Sequence, residues 1–407
     1  MAILIRQELY KIFKRKKTLV VIIAFILLTT VLTLGNKQSA DYMKEYSTPE
    51  FQIENLQYNN EYLEMELKTR PDYLEDHEIE RYHEDLRNEI ERNNQEIERL
   101  KLSMSGDISW QEALGQNIQG LEELIEEESK HNLAGSDYLA SLKMDLDVLK
   151  HLEENNIEPQ ESYEFNAFKN LGEIVEQLGQ AFLVIGIAVF AADIVSGEWT
   201  PPTMKFLLVQ PVSRGKVLLA KFIATLISAL GLILIIEIVF TIVVGLAFGF
   251  GDMNYPVIVN KVFDFDYSIM FEDGSHPMIL LDGSWDIIPA WQYSLKLIGY
   301  QGLFILATSS LVFMISSIAK SSMISMGVSV VSLIAGSIVF QISTFYGLSK
   351  YVFTSYSLTG ALITGDIVRY YNDPNFTGSL GLIVMIGWII LTYIVSHILF
   401  KKRDMLV

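Results

Sequence analysis

The feature that most constrains this chain is a set of six apolar runs, each nearly free of charge. Each is close to the roughly 20 residues a helix needs to cross a hydrocarbon layer of about 30 Å. They fall at residues 18–35, 179–196, 222–250, 292–319, 323–345 and 380–400. Within lipid the backbone must satisfy its own hydrogen bonds, so runs of this length are expected as helices. The chain is 50% hydrophobic over 407 residues and still carries a net charge of −18, which requires acid and apolar residues to be segregated. The expected fold is an all-α membrane protein with six transmembrane helices and a water-exposed insert. With no cysteine, disulfides, thiolate metal sites and cysteine nucleophiles are excluded.

Residues 1–17 hold Arg6, Lys11, Lys14, Arg15, Lys16 and Lys17 against one acid, Glu8. Ile3, Leu4, Leu9, Ile12 and Phe13 can form one face of an amphipathic helix lying among lipid headgroups. The run at 18–35 is read as a retained first span. Its apolar core exceeds a usual signal-peptide core, and the residues after it make a poor cleavage site. Residues 36–178 then contain about 35 acids and about 13 bases, with no span. A three-and-four spacing recurs: Leu86, Ile90, Asn93, Ile97, Leu100 and Met104, then Leu114, Ile118, Leu121 and Ile125, then Leu139, Leu142, Leu146 and Leu149. A large helical hairpin or bundle between the first and second spans is the expectation, with the acids as its solvated face.

Basic residues orient the chain. With the N-terminus cytoplasmic, the termini and the two inner loops, 197–221 and 320–322, hold about fourteen bases and few acids, and the acidic stretches at 36–178 and 251–291 fall outside. The tail, 401–407, opens with Lys401, Lys402 and Arg403. Residues 346–379 are too apolar for a plain loop, and 358–363 reads as a half-helix entering the membrane.

Asp193 lies near the inner end of the second span, within reach of water or a base. Glu237 is the costliest residue of the apolar part, because a carboxylate there must be paired, protonated or wetted. It is either a gating or substrate-contact group of a translocation path or a structural hydrogen-bond partner for a neighbouring helix. Ser309, Ser310, Ser316, Ser317, Ser325 and Ser329 suit close helix packing or a hydroxyl-lined path. No P-loop, zinc spacing, nucleophile elbow or basic-aromatic nucleic-acid patch occurs, so the chain is not itself a P-loop ATPase and no catalytic residue, cofactor or metal site is assigned to it.

The stretch 197–221, GEWTPPTMKFLLVQPVSRGKVLLAK, sits between two spans. Thr200 with Pro201 and Pro202 fits a helix start. Pro211 ends that short helix because it lacks an amide hydrogen, and Ser213 caps the next. Glu198, Thr203, Leu207, Leu208, Pro211, Ser213, Arg214 and Lys221 together resemble the signature of ABC-2 type transporter permeases, with Pro202 where that pattern usually has glycine. The layout of the spans is similar to that family over nearly the whole chain.

The resemblance implies the membrane half of a bacterial exporter in the plasma membrane, dimerised with a second permease, whether identical or a paralogue. ATP and magnesium would be handled by a separate cytoplasmic nucleotide-binding ATPase. It further implies that the short helix couples that ATPase to the spans. Thr203, Lys205, Phe206 and Leu207 would make the contact beside Pro211, and Glu198 and Arg214 would hold the flanking turns, singly or as a pair with each other. The expected cargo is lipophilic or amphipathic: a peptide, an antibiotic or a lipid. Sodium or other cation extrusion is the alternative within the class. A non-transporting anchor whose outer helical bundle senses a ligand or scaffolds an envelope complex is the alternative outside it.

Overall fold

The computed structural model describes residues 1–407 except 70–75, 105–108, 132–135, 162, 200–212, 343–345 and 403–407. Its helices, in chain order, begin with α1 (Ala2–Lys14), α2 (Lys16–Ser47), α3 (Pro49–Leu67), α4 (Asp76–Met104), α5 (Trp110–His131) and α6 (Ser136–Glu154). Next come α7 (Ala167–Gln180), α8 (Phe182–Ala191) and α9 (Arg214–Phe248). The last group is α10 (Ala290–Ile318), α11 (Ser322–Val339), α12 (Tyr346–Ser349), α13 (Thr359–Thr364), α14 (Ile367–Tyr371) and α15 (Gly378–Lys402). The chain divides into two compact units. One comprises Met1–Leu34, His131–Met144 and Asn166–Val407, and the other Gly35–Lys130 and Asp145–Phe165. Residues 136–144 and 166–178, which charge alone groups with the acidic stretch, therefore fold with the apolar runs.

Among the described residues α2, α9, α10, α11 and α15 are long and apolar enough to cross a membrane. The chain is a multi-pass, all-α membrane protein. The expected second span, 179–196, is not a single straight helix. Instead α7 and α8 form a pair bent by 64°, a broken span or a re-entrant loop. The second arm of the pair runs Phe182–Glu198, which at 1.5 Å per residue is about 25 Å, just short of the hydrocarbon layer. No proline marks the break. It falls at Ala181, whose φ of −138° and ψ of −44° leave the helical region, two residues after Gly179 meets the Ser357 carbonyl. A Cβ at Gly179 would lie 2.3 Å from that oxygen, so only glycine permits the approach.

Helix α10 forms the centre of this unit: 67% of its most apolar window is buried within the chain, against 17–39% for the other four long apolar helices. Two of its serines bridge to neighbouring segments. Ser316 Oγ accepts from the amides of Val195 (3.2 Å) and Ser196 (3.1 Å), which lie past the end of α8 and would otherwise lack partners in a buried place. Ser310 Oγ and Thr392 Oγ1 hydrogen-bond between α10 and α15. From α11, Ser325 Oγ donates to the Ala192 carbonyl at 2.5 Å.

Residues 251–291, expected as a loop, hold two antiparallel ladders. β1 (Pro256–Val259) pairs with β4 (Asp286–Pro289), and β2 (Phe263–Phe265) with β3 (Met278–Leu280). Between the ladders, the amides of Asn260 and Lys261 donate to the carbonyls of Ile363 (3.0 Å) and Thr364 (2.9 Å) at the end of α13. Gly365 closes α13 with φ +94°, where a Cβ would collide with the Lys261 carbonyl at 2.2 Å. A short helix does stand where 358–363 was read as one, and Glu176 of α7 meets its first turn by accepting from the Gly360 amide at 2.9 Å.

In the second unit α3 and α4 pair antiparallel. Asn60 donates to Asn94 (3.0 Å) and accepts from Asn93 (2.8 Å), while Tyr82 hydrogen-bonds Glu66. Leu86 and Ile97 are buried, as are Leu114 and Ile118 of α5, on the stripes that the spacing indicates, and Leu63 of α3 is buried too.

Candidate functional site

Helix α1 turns Ile5, Leu9 and Ile12 toward the core, and Glu8 shares that face because positions three and four apart in a helix stack on one side. Opposite it, in the second turn of α9, lies Lys221, whose side chain is 2% exposed. Its ammonium stands 2.8 Å from Glu8 Oε2 and also donates to Glu198, which sits in the 3-10 turn Ser196–Trp199. Lys11 reaches Glu8 Oε1 at 3.0 Å from the surface side.

One buried cation thus ties three segments far apart in sequence: the N-terminal helix, the entry to the signature stretch and the helix that leaves it. Burial alone would raise the Glu8 carboxyl. The ammoniums of Lys221 and Lys11 together outweigh that and hold Glu8 below the usual carboxylate range. Such a joint adds little net stability when intact, since desolvation offsets the attraction. Removing one partner leaves a buried charge uncompensated and costs about 3–5 kcal/mol.

A second, wetter joint lies beside it. Asp193 pairs with Arg15 Nη1 at 3.3 Å and Lys17 Nζ at 2.8 Å, and its side chain is 23% exposed. The base that sequence reading wanted near Asp193 is therefore supplied by the residues just before the first span.

The ion pair of Glu198 is with Lys221, and Arg214 begins α9 on the far side of residues 200–212. Ser213 occupies the N-cap of α9, with φ −62° and ψ 140°, but its side chain makes no capping hydrogen bond, which corrects the capping role read from sequence. Thr203, Lys205, Phe206, Leu207 and Pro211 lie outside the described residues. Sequence reasoning missed Glu8 and Lys221 as partners. The available signal was one-sided: Glu8 is a lone acid among six bases, whereas Lys221 is one of several bases in its stretch, with Arg214 and Lys216 close by.

Glu237 is elsewhere on α9, about 24 Å along the axis from Lys221 at 1.5 Å per residue. It is 2% exposed and accepts from Gln301 Nε2 of α10 at 2.6 Å, a hydrogen bond to a neighbouring helix. Glu237 Oε2 and Gln301 Oε1 are buried with no hydrogen-bond partner among the described residues. The two sites share a helix and are not brought together.

Comparison with known proteins bears on the whole arrangement. The model of a family described as ABC-2 family transporter protein matches residues 2–405. The chain is also similar to a protein of Bacillus subtilis (strain 168) named "Uncharacterized protein YhcI", with 23% identity over 220 residues. That match covers 53% of this chain and 62% of the relative, less than two thirds of the relative's length.

Proposed function

Because this chain belongs to the ABC-2 family of transporter proteins, we propose that it is the permease subunit of an exporter driven by a separate ATPase. In this reading it pairs with a second permease, its termini lie on the cytoplasmic side, and its cargo is a lipophilic or amphipathic molecule. The observation that supports coupling most directly is the buried joint of Glu8, Lys221 and Glu198. It joins both flanks of the stretch 200–212 and the N-terminal helix through one ammonium, so a push on that stretch reaches α9 through a rigid connection. Thr203, Lys205, Phe206 and Leu207 would receive the push, with Glu198, Pro211 and Arg214 setting the flanks. Closure of the ATPase dimer would then shift the spans between two packed arrangements.

The test is affinity purification of the tagged chain from its own membranes. A P-loop ATPase should co-purify with wild type, fall at least roughly fivefold with Lys205→Glu, a charge contact worth on the order of 1 kcal/mol, and vanish when residues 202–209 are deleted. ATP hydrolysis by the purified chain alone, or intact ATP-driven transport after that deletion, would overturn the reading. The enclosure of Glu237 favours a second one, in which α9 and α10 transmit force without opening a path at that residue. Solvent reactivity of a cysteine at position 237, absent in both nucleotide states, would support it.

A further inference from the structure

A groove of about 650 Å³ runs between α1 and the first turns of α9. Arg6, Gln7 and Lys11 contribute its polar side, and Ile3, Leu4, Val217 and Ala220 its apolar side. We propose that this groove binds one anionic phospholipid, its phosphate between Arg6 and Lys11 and the upper part of an acyl chain along Ile3, Leu4 and Val217.

The charges near the groove are unevenly committed. Lys11 is held by Glu8, Arg15 and Lys17 by Asp193, and Lys14 stands 4.5 Å over the Tyr10 ring. Arg6 is exposed and has no carboxylate partner among the described residues. Glu8, the one acid on the lining, is already engaged by Lys221 and Lys11, so the groove presents net positive charge to an incoming anion.

Size and polarity narrow the ligand. The volume lies within the roughly 300–1,000 Å³ typical of small-ligand sites. A free phosphate would satisfy Arg6 and leave Ile3, 74% exposed, in water, and a neutral lipid would cover Ile3 and leave Arg6 unanswered. Val217 and Ala220 belong to the opening turns of a helix long and apolar enough to span, which puts the groove where headgroups and acyl chains meet. Which leaflet supplies the lipid rests on the orientation proposed above, whereas the binding itself does not, so the two can fail separately.

Native mass spectrometry of the detergent-purified full chain, incubated with phosphatidylglycerol or phosphatidylcholine, tests it. Wild type should retain one phosphatidylglycerol with a preference of about tenfold, or 1.4 kcal/mol. Arg6→Gln should cut that preference at least fivefold. Gln7→Glu, a surface change that spares the fold, should do the same, whereas Lys16→Gln, outside the groove, should not. Millimolar glycerol phosphate should fail to displace the lipid. Equal retention of the two lipids, an equal loss with Lys16→Gln, or displacement by glycerol phosphate would overturn the proposal. Unchanged lipid retention in Arg6→Gln together with loss of ATPase co-purification would do so too, by making the groove a protein dock.

Discussion

Helix α9 carries two buried ionisable side chains that the chain treats in opposite ways. At Lys221 a cation meets two carboxylates contributed by α1 and by the turn at Glu198, with a second lysine at the rim. At Glu237 a carboxylate meets only the neutral amide of Gln301, and one oxygen on each side is left without a hydrogen bond among the described residues. The first site brings its own counter-charge and is electrostatically closed. The second is an open valence inside the apolar unit. A burial figure of 2% is common to both and so says nothing about which is which; the partners do.

The strongest way to break this contrast is Lys221→Met. It should cost about 3–5 kcal/mol by leaving two buried carboxylates facing each other, whereas the triple change with Glu8→Gln and Glu198→Gln should recover most of that loss. Thermal unfolding in detergent measures both, and a single variant as stable as wild type would remove the joint from the account.

Acid should open the same site next. Glu8 has its carboxyl held below the ordinary value by Lys221 and Lys11 against the effect of burial, so the unfolded state binds the proton more readily. The stabilisation is fully present above the unfolded carboxylate value of about 4.3 and is lost as pH falls through the lower folded value. Limited proteolysis of α1 should stay constant from neutral pH to about 5 and rise below about 4. Glu8→Gln should flatten that rise.

Glu237→Gln sharpens the other half. Replacing a carboxyl whose partner is a neutral amide by another hydrogen-bonding amide should change stability by only about 1 kcal/mol, in either direction. Transport, if Glu237 is a working group, should fall far more than stability does. The smallest effect belongs to Asp193→Asn. That pair is partly exposed and screened, and should be worth about 0.2–1 kcal/mol.

What sequence could reveal followed from how local each feature is. The runs at 222–250 and 292–319 reappear as Arg214–Phe248 and Ala290–Ile318 because bilayer length and low charge are properties of the segment itself. The break at Ala181 was invisible. It coincides with the contact between Gly179 and the Ser357 carbonyl, not with any helix-breaking residue at the site. The β-ladders of 251–291 have three or four residues per strand, too few for an alternating pattern to stand out. The joint was hidden for a different reason: Glu8 and Lys221 are 213 positions apart, and neither residue alone signals the other. Glu237 was legible because a lone acid in an apolar run stands out, but its partner Gln301 does not.

The shared ammonium of Lys221 has a mechanical corollary. A hinge allows its arms to swing singly, whereas a single knot tied from three cords cannot let one go slack without stranding the others. If α1 alone drifted by an ångström or two, Lys221 would remain in a poorly polarisable setting with half its compensation gone. The three segments should therefore travel as one body or release together, giving a response to load that is abrupt and thresholded instead of graded.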